Sequence, residues 1–534
     1  MARRQAARHA RRVRRITPRR WLPFLALLAV IAASVAVSRQ DQPPDPVRDR
    51  APAPATRLPV ASRADALSTA WYCAGGSAQG ADGPAELSVV IANAESAGTT
   101  AEITAVGSEG GRASTTVAVP AVGRVRVAAA DLLTDPWVGL SVEVLGGRAT
   151  VEREVQGPLG FDVSPCSASA ATRWYVPSGS TVRGAQLDLV LFNPFPDDTS
   201  VDITFATDQG IRSPRALKGF SVPGRSVRVV PQDALPSRRP EVAATITART
   251  GRLVVDRVQR YDGTGDAVPG TGADPVATPA PVGLASTAGV PTRAARWIFP
   301  DAVVVEGART QLAVHNPGTL TARVDVVISH EDPARYPEVE PVQLTVRPRS
   351  EEVVDLTQVV GITGGAPFTI DVRSLDDVPV VAEQLSFGAA PLEPVEGATP
   401  AEAADAAGDP VPGFTAVPGA PVAATTWFLA SRGGSLRRAA TVVVANPGSK
   451  RVTVRVVQLT DGRREAVAGA GVTLEPGDRR VLDLAAGATS SALLITADGP
   501  VVAGHTLVGL QGRGLAQALG TPFPETVVPL PALG

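Results

Sequence analysis

The fold class of this chain is decided by residues 187–194, which read LDLVLFNP. Leucine recurs at every second position from Leu187 to Leu191, and strict alternation over so short a run is typical of a strand with one buried face. Asn193 and Pro194 then end the strand, because the asparagine side chain can hydrogen-bond the backbone two residues on and proline blocks further pairing. The stretch therefore predicts a β-strand followed by a turn.

The same arrangement recurs along the 534-residue chain, which contains only four asparagines. Each asparagine follows a tryptophan at a fixed distance, 22 residues in the first copy and 19 residues in the other three. The four pairs are Trp71 and Asn93, Trp174 and Asn193, Trp297 and Asn316, and Trp427 and Asn446. Recurrence at a fixed spacing indicates repeated structural modules, so we expect four tandem copies of one module.

Within each copy, short alternating runs are separated by turn residues. After Asn193, for example, Val201, Ile203 and Phe205 alternate with polar residues, and the turn sequence 208–210 follows. A last hairpin is expected to turn at Gly146-Gly147, Thr250-Gly251, Asp376-Asp377 and Asp498-Gly499. Six or seven short strands in about 90 residues, with no helical stretch between them, predict an all-β fold in which each module is an Ig-like β-sandwich.

Between the modules the sequence becomes rich in Pro, Gly and Ala, which is typical of linkers or long surface loops. We expect a Pro-rich stalk at residues 39–66 and linkers at 263–292 and 389–424. The four β-sandwich modules are then expected at residues 67–167, 168–262, 293–388 and 425–534. Because the first two modules have almost no spacer, we expect them to pack together.

The N-terminus has the charge pattern of a membrane anchor or an export signal. Residues 1–38 contain nine arginines and no acidic residue, and the arginines precede an apolar run. A basic flank before an apolar segment is the positive-inside pattern. We therefore expect a basic cytoplasmic segment at 1–20 and a transmembrane anchor or signal peptide at 21–38. The small residues Ser34-Val35-Ala36 leave cleavage open, and a cleaved protein would be secreted.

The charge of the remaining chain argues against a nucleic-acid partner. After the nine N-terminal arginines are subtracted from 51 basic residues, 42 basic and 52 acidic side chains remain, a net charge of about −10. Nucleic-acid-binding domains carry a basic face. We therefore expect no nucleic-acid binding, and an ectodomain that lies outside the cytoplasm.

The only two cysteines, Cys73 and Cys166, frame the first module. In an oxidising compartment, two cysteines without other partners predict a disulfide. Closing a loop of 93 residues would stabilise the fold by roughly 4–5 kcal/mol on the chain-entropy model. The alternative interpretation is a pair of free buried thiols.

The repeated tryptophans and asparagines admit a structural and a functional interpretation. Buried tryptophans at the first strand would anchor each core, whereas exposed ones could stack on sugar rings. The asparagines would fix turns, or would contact a polar ligand four times over. The structural interpretation is favoured for both, because the residues beside the tryptophans (Tyr175, Ile298, Phe428) are apolar too.

No residue pattern asks for catalysis, a metal or a cofactor. His315, His330 and His505 show no metal-ligand spacing, and there is no cysteine cluster. Nucleophile motifs such as Gly-x-Ser-x-Gly and Gly-rich phosphate loops are absent from the sequence. Adjacent acids are expected on solvated turns, at Asp197-Asp198, Glu351-Glu352 and Asp376-Asp377. We therefore expect a non-enzymatic protein without metal or cofactor.

The Arg-rich lead, the single apolar segment and the Trp…Asn-Pro repeats together resemble an uncharacterised family of exported, membrane-anchored actinobacterial proteins. That family is defined by a domain of unknown function. The likeness covers most of the chain after residue 65. The first copy departs from the pattern, because Ala94 replaces the proline and Cys73 the third position of the opening run. The resemblance implies an envelope location and repeated β-sandwich modules, and it brings no catalytic residues.

These expectations combine into one functional hypothesis. The chain is expected to be a structural or interaction protein of the cell envelope, with a single-pass anchor, a cytoplasmic N-terminus and a repeated β-sandwich ectodomain outside. Its partner would be an envelope protein or a cell-wall polymer. The alternative is a cell-wall glycan-binding protein that uses the module aromatics, and exposure of Trp174, Trp297 and Trp427 would distinguish the two hypotheses.

Overall fold

The described part of the chain is built from β-strands joined by turns. The computed structural model describes residues 58–80, 83–266, 280–305, 307–389, 411–431, 437–460, 462–467, 471–482, 491–509 and 514–530. The expected segments 1–20 and 21–38, and most of the stalk 39–66, lie outside the described residues. Among the residues described, no helix is long and apolar enough to cross a membrane. Single-turn 3-10 helices occur at Ala129–Asp131, Arg215–Leu217, Gln232–Ala234, Leu356–Gln358 and Pro524–Thr526.

Group 1 is the first set of strands: β1 (Thr69–Ala78), β2 (Glu86–Asn93), β3 (Thr99–Gly107), β4 (Arg112–Val119), β5 (Gly123–Ala128), β6 (Asp135–Val144), β7 (Ala149–Gly157) and β8 (Gly160–Pro165). They pair in the orders β4-β3-β6-β1 and β5-β2-β7-β8. These pairs are antiparallel, and one parallel bridge from Ser77 to Glu86 also joins β1 to β2.

Group 2 contains β9 (Arg173–Val176), β10 (Ala185–Asn193), β11 (Thr199–Thr207), β12 (Gly210–Arg212), β13 (Lys218–Val222), β14 (Ser226–Val229), β15 (Val242–Thr250), β16 (Val254–Asp262) and β17 (Val282–Ala288). One sheet has the order β12-β11-β15-β9, with β13 also paired to β11, and the other has the order β14-β10-β16-β17.

Group 3 contains β18 (Arg296–Ala302), β19 (Arg309–Asn316), β20 (Ala322–His330), β21 (Val342–Val346), β22 (Ser350–Asp355), β23 (Phe368–Ser374), β24 (Val381–Ala389) and β25 (Val411–Pro418). Its two sheets have the orders β18-β23-β20-β21 and β22-β19-β24-β25.

Group 4 contains β26 (Val422–Leu429), β27 (Arg437–Ala445), β28 (Val452–Thr460), β29 (Arg463–Ala466), β30 (Val472–Leu474), β31 (Arg479–Leu482), β32 (Ala492–Gly509), β33 (Leu515–Leu519), β34 (Thr521–Pro522) and β35 (Val527–Pro529). The first half of β32 pairs with β28 and β26, and its second half pairs with β27 and β33.

The four groups share one strand order. The strands β12 and β13, and likewise β29 and β30, each form one edge position, and the two halves of β32 form two positions. Every group then has eight strand positions, and group 4 has in addition the short strands β34 and β35, which pair with β26. The first position pairs with the sixth, the sixth with the third, and the third with the fourth. The second position pairs with the fifth and the seventh, and the seventh pairs with the eighth.

Alternation along each strand produces the apolar cores. In β11, Val201, Ile203 and Phe205 are buried, whereas Asp202 and Thr204 between them are partly exposed. The buried side chains belong to a core that both sheets of group 2 supply. Removing such apolar surface from water stabilises the fold by roughly 25 cal/mol per Å², so each pair of sheets is held by its own core.

The strands in the eighth position meet at the centre of the compact unit Ala53–Gly534. Strand β8 contacts β17, β17 contacts β25, β25 contacts β33, and β33 contacts β8. The four groups therefore form a closed ring around four central strands. Ring closure is completed near the chain ends, where Ala61 N donates to Pro522 O at 2.9 Å and side chains of groups 1 and 4 share an apolar cluster.

A glycine lies at an equivalent position in β8, β17 and β25 and immediately before β33. Gly160, Gly283, Gly413 and Gly514 each precede by five residues the partner of Glu152, Asp256, Glu383 or Gly504 on the seventh strand. A Cβ at Gly283 would lie 2.3 Å from Phe414 N, and one at Gly413 would lie 2.7 Å from Leu515 Cβ. Any side chain at these positions would push the central strands apart, so the close packing at the centre depends on the missing Cβ atoms.

The structure differs from the sequence expectations in three places. Strand β17 lies inside the expected linker 263–292 and β25 inside the expected linker 389–424, because both strands complete a sheet by pairing with the seventh position. No turn interrupts β32 at Asp498-Gly499. The expectation of a solvated turn at Glu351-Glu352 is wrong, since both residues lie on β22 and Glu351 is buried.

Candidate functional site

The four repeated tryptophans lie inside the cores. Trp71, Trp174, Trp297 and Trp427 are at most 2% exposed. In three groups the indole Nε1 donates to the carbonyl just before the seventh strand, at Leu253, Val380 or Val501, over 2.8–3.0 Å. In group 1 the corresponding carbonyl, Ala149 O, instead accepts from Ser62. The rings thus offer no face to a ligand.

Each repeated asparagine holds the turn that follows its strand. Asn193 Nδ2 donates to Asp197 O at 2.8 Å and to Val222 O at 3.1 Å, while Asn193 Oδ1 accepts from Phe195 N at 3.1 Å. The same three bonds, at 2.7–3.2 Å, surround the other asparagines, Asn93, Asn316 and Asn446. Both amide hydrogens of each asparagine are therefore donated to backbone carbonyls, and the four side chains are buried, so they stabilise the turn.

The cysteines form the expected disulfide. Cys73 on β1 and Cys166 just after β8 are bonded and buried, with their Cα atoms 5.0 Å apart. The bond connects the first strand of group 1 to the end of its central strand, across the edge between the two sheets. It lies in the core of group 1 and leaves no free cysteine among the residues described.

Buried ion pairs connect neighbouring groups around the ring. Arg153 of β7 lies 2.6 Å from Asp256 of β16, and Arg257 of β16 lies 2.7 Å from Glu383 of β24. All four side chains are at most 1% exposed. Each guanidinium also donates to a carbonyl of its own group at 2.8 Å, Arg153 to Ala74 O and Arg257 to Ser178 O. Such pairs are costly to break, because the remaining charge would be buried alone.

The other two boundaries between groups use different hydrogen-bond donors. Between groups 3 and 4, Arg479 bonds to Asp301, 3.0 Å away, and to Glu331. Between groups 4 and 1, Glu152 accepts from Ala430 N at 2.9 Å and from Ser431 N at 2.7 Å. Burial raises the pKa of Glu152 to about 7.

Sequence reasoning missed these interfaces although a signal was present. The seventh strands carry Glu152-Arg153, Asp256-Arg257, Glu383-Gln384 and Gly504-His505 at one register position. An acidic–basic dipeptide inside an apolar strand occurs in groups 1 and 2, and polar residues persist at this position in groups 3 and 4, which indicates a buried polar contact. The alternation of apolar and polar residues predicts that such residues face solvent, because the pattern within one module does not show that another module packs against it.

The boundary between groups 2 and 3 brings a histidine and acids together. His315 on β19 and Glu351 on β22 are direct cross-strand partners, and both are buried. Burial lowers the pKa of His315 to about 4. Burial, together with the carboxylates of Glu241 and Glu383, raises the pKa of Glu351 well above its usual value. His315 is therefore neutral near pH 7, whereas the surroundings of Glu351 favour its protonated form.

The contacts of His315 do not form a nucleophile-activating arrangement. His315 Nε2 lies 3.3 Å from Thr245 Oγ1, but His315 Nδ1 lies 3.1 Å from the main-chain oxygen of Ser350. A catalytic histidine of the triad type has a carboxylate behind it to stabilise the imidazolium. Here that place is occupied by a neutral carbonyl, so Thr245 has no strong base beside it.

Glu351 lines a cleft of about 320 Å³ at this boundary. Both basic and acidic side chains line the cleft. Its wall includes Arg257, Arg309 and Glu241. Arg257 is bonded to Glu383 and Arg309 to Asp355 at 2.8 Å, so these cations are already neutralised. Throughout the part of the chain that the structure describes, no cluster of three or more His, Cys, Asp or Glu residues could hold a metal ion.

Part of the chain is similar to a protein family that has no assigned function. Residues 68–268 match the family model described as "Family of unknown function (DUF5719)", and this range contains β1 to β16. No curated protein matches the chain.

Two solved structures show limited similarity. The crystal structure of Thermotoga maritima 1070 is 25% identical over 18% of this chain and 81% of that chain, with a TM-score of 0.15. The tetra-tandem repeat from the extending region of a large adhesion protein is 13% identical over 82% of this chain and 92% of that chain, with a TM-score of 0.11. At these TM-scores neither structure supports a functional argument.

Proposed function

We propose that this protein is a non-enzymatic interaction protein of the cell envelope. The observation that carries the proposal is the closed ring. Buried ion pairs connect group 1 to group 2 and group 2 to group 3, the partly buried pair of Arg479 and Asp301 connects group 3 to group 4, and hydrogen bonds to Glu152 connect group 4 to group 1. Interfaces of this kind fix the relative position of the groups, because separating them would expose or isolate buried charges. A rigid ring of repeats presents several surfaces at fixed distances, which suits a scaffold that binds other envelope components.

We further propose that the four groups are four copies of an Ig-like β-sandwich module. Pairing of the second with the fifth strand and of the third with the sixth is the arrangement of B with E and C with F in the immunoglobulin fold. The eighth strand is the addition that brings the modules to the ring centre. Sandwiches of this class are common in cell-surface proteins, which supports an ectodomain role.

An extracytoplasmic location is proposed on two grounds. The disulfide Cys73–Cys166 is of the kind that persists in oxidising compartments. The arginine-rich residues 1–20 followed by the apolar segment 21–38 have the pattern of an export signal or anchor. In the proposed topology the N-terminus is cytoplasmic, the stalk 39–66 follows the membrane segment, and the ring lies outside.

The absence of enzymatic activity is proposed from how the polar residues are used. The asparagines fix turns, Arg257 is neutralised by Glu383, and His315 lacks a supporting carboxylate. The alternative, glycan binding through the module aromatics, requires exposed rings, whereas Trp174, Trp297 and Trp427 are buried. Binding through other surfaces is therefore the better supported form of the proposal.

Protease treatment of intact cells tests the location. We expect an external protease to degrade the ring while a cytoplasmic marker stays intact, and we expect Cys73 and Cys166 to resist alkylation until a reductant is added. In-cell crosslinking should then trap an envelope protein or a wall polymer. A chain that is fully protected from protease and carries two free thiols would overturn the envelope proposal.

A further inference from the structure

A second cleft at the boundary between groups 2 and 3 is lined by three arginines. Its volume is about 360 Å³, within the range of small-ligand sites. Arg173 begins β9, Arg293 lies just before β18, and Arg349 lies just before β22. No aspartate or glutamate lines this cleft. It is therefore a local concentration of positive charge on a ring whose chain is acidic overall.

The three arginines have no carboxylate partner within the described residues. None of them takes part in the ion pairs that the described residues form. Asp202, on the same sheet as Arg173, is occupied by Arg249 at 2.7 Å and by Gly219 N at 2.8 Å. The positive charge of the cleft thus remains uncompensated by the protein.

Hydroxyl groups lie between the arginines. Thr204 on β11 pairs across the sheet with Thr245 on β15, and Thr245 pairs with Tyr175 on β9. The threonines face away from the core, because their neighbours Phe205 and Ile246 point into it. The hydroxyl hydrogens of Thr204 and Thr245 are already donated, to Thr245 O and to His315 Nε2. The three guanidinium groups, with the hydroxyls of Ser213, Thr247 and Thr319 that also line the cleft, supply the hydrogen-bond donors that an oxyanion needs.

Among the residues described, the buried lining of the cleft includes His315 and no acidic side chain. The ring of His315 is buried, and its Nε2 lies 3.3 Å from Thr245 Oγ1. The cross-strand neighbour Glu351 belongs to the other cleft and is absent from the lining of this one. An anion that enters therefore meets donors and a neutral ring, without an opposing carboxylate.

We propose that this cleft binds an oxyanion group, a phosphate or carboxylate carried by an envelope polymer. The inference deepens the proposed function, on which it rests. Arginine is suited to this task because its planar guanidinium makes paired hydrogen bonds to phosphate and carboxylate. Arg173 and Arg349 approach from opposite groups, so the bound oxyanion also connects groups 2 and 3.

Calorimetric titration of the full-length protein in detergent micelles tests this proposal. The probes are a glycerol-phosphate oligomer, an oligogalacturonate of equal charge and a neutral dextran oligomer. The variants are Arg173→Gln, Arg293→Gln, Arg349→Gln and their combination. The matched control is Arg228→Gln, which removes the same charge from an exposed position on β14. Thermal unfolding of every variant shows that the fold is retained.

We expect the wild-type protein to bind at least one anionic oligomer and not the dextran. Each single replacement should weaken binding about tenfold or more, since a hydrogen bond to a charged group is involved. The triple variant should lose binding and its salt dependence, and Arg228→Gln should bind as the wild type does. Preference for the phosphate or the uronate oligomer then identifies which polymer supplies the group.

Two results would overturn the inference. One is a wild-type protein that binds neither anionic oligomer, and the other is a triple variant that binds as well as Arg228→Gln. Either result leaves the envelope proposal in place if protease still degrades the ring on intact cells. Failure of that protease test would remove the envelope proposal, whereas oxyanion binding in the calorimeter would still stand as a property of the cleft.

Discussion

Asp256 and Arg257 are adjacent on β16, and Asp256 binds a residue of the preceding group whereas Arg257 binds a residue of the following group. Asp256 accepts from Arg153 of group 1 at 2.6 Å, and Arg257 donates to Glu383 of group 3 at 2.7 Å. A single strand, β16, therefore ties three groups together. Both ion pairs are fully buried. Their low-dielectric surroundings strengthen the attraction within each pair, and they also make the removal of one partner strongly destabilising.

Replacement of Arg153 with alanine should lower the free energy of unfolding by roughly 3–5 kcal/mol, because Asp256 is left charged and buried. Thermal or urea unfolding measures the change. The matched control is Arg63→Ala, whose pair with Asp65 is exposed and screened by solvent, so its removal should leave the stability nearly unchanged. Equal effects of the two replacements would contradict the assignment. An Arg153→Met, Asp256→Leu double variant should recover much of the loss.

The central glycines offer a steric test of the ring. Alanine at Gly283 would place Cβ 2.3 Å from Phe414 N, and such overpacking should reduce the free energy of unfolding by about 1–3 kcal/mol. Gly111→Ala is the control, because its Cβ would meet only Leu133 Cδ2 at 3.9 Å. Small-angle scattering should also show a larger radius for Gly283→Ala. Unchanged stability and radius would mean that the four central strands are not in contact.

Loss of the disulfide should destabilise the protein by roughly 4–5 kcal/mol on the chain-entropy model, since Cys73 and Cys166 close a loop of 93 residues. The comparison is between the wild type and a Cys73→Ser, Cys166→Ser variant, each unfolded with and without reductant. Reductant should lower the wild type to the level of the variant and leave the variant unchanged. A variant as stable as the oxidised wild type would show that the bond contributes nothing.

The asparagine amides should be sensitive to a single-atom change. In Asn193→Asp, the new oxygen faces Asp197 O and Val222 O, to which the amide nitrogen donates. We expect a loss of about 2–4 kcal/mol at pH 7, because two acceptors lose their donor and a charge is buried beside them. Part of this loss should be recovered below pH 5, where protonation restores one donor. Gln209→Ala on the next, exposed turn is the control and should change stability by less than about 0.5 kcal/mol.

Stability should fall as the pH rises from about 5 to 8. Burial raises the pKa of Glu152 to about 7 and that of Asp162 to about 8. In the native state these carboxyls therefore hold protons that the unfolded chain has released, and unfolding is favoured as the pH increases. The stabilisation is complete below the unfolded pKa values near 4 and is lost above the folded ones.

Glu152→Gln provides the check on this pH dependence. The variant should lose roughly 3 kcal/mol of the change in unfolding free energy between pH 5 and 8, which corresponds to the shift of Glu152. Glu102→Gln, on an exposed position of β3, should leave the pH profile as it is in the wild type. A profile that is the same in both variants would show that Glu152 is not protonated in the native state.

Local features of the fold could be predicted from the sequence. Strands such as β11 follow from the period-two alternation of Val201, Ile203 and Phe205, and the disulfide is predicted from the presence of only two cysteines, together with the expectation of an oxidising compartment. The strands depend on residues that are close in sequence, and the disulfide depends on each cysteine having only one possible partner. They are therefore visible without knowledge of the other modules.

The ring and its clefts depend on contacts between distant segments. Arg153 and Asp256 are separated by 103 residues in the sequence. Because Arg153 lies between Glu152 and Glu154, the sequence alone predicts that this part of the strand is exposed to solvent. Likewise, Val282–Ala288 lies near Pro- and Gly-rich sequence and reads as a linker, yet it becomes a central strand because β16 supplies its pairing edge. The candidate oxyanion cleft draws Arg173 and Arg349 from different groups, which no single repeat reveals.

Ring closure also determines when the protein can finish folding. Glu152 is satisfied by the amides of Ala430 and Ser431, which follow it by 278 and 279 residues. Contacts of such long sequence separation form slowly, because the intervening chain must first be ordered. The first group therefore keeps an unfinished edge until the last group has been synthesised and folded. A chain cut before residue 430 would leave Glu152 without these two amides and would expose the group 1 side of the apolar cluster that groups 1 and 4 share, so truncated chains should aggregate.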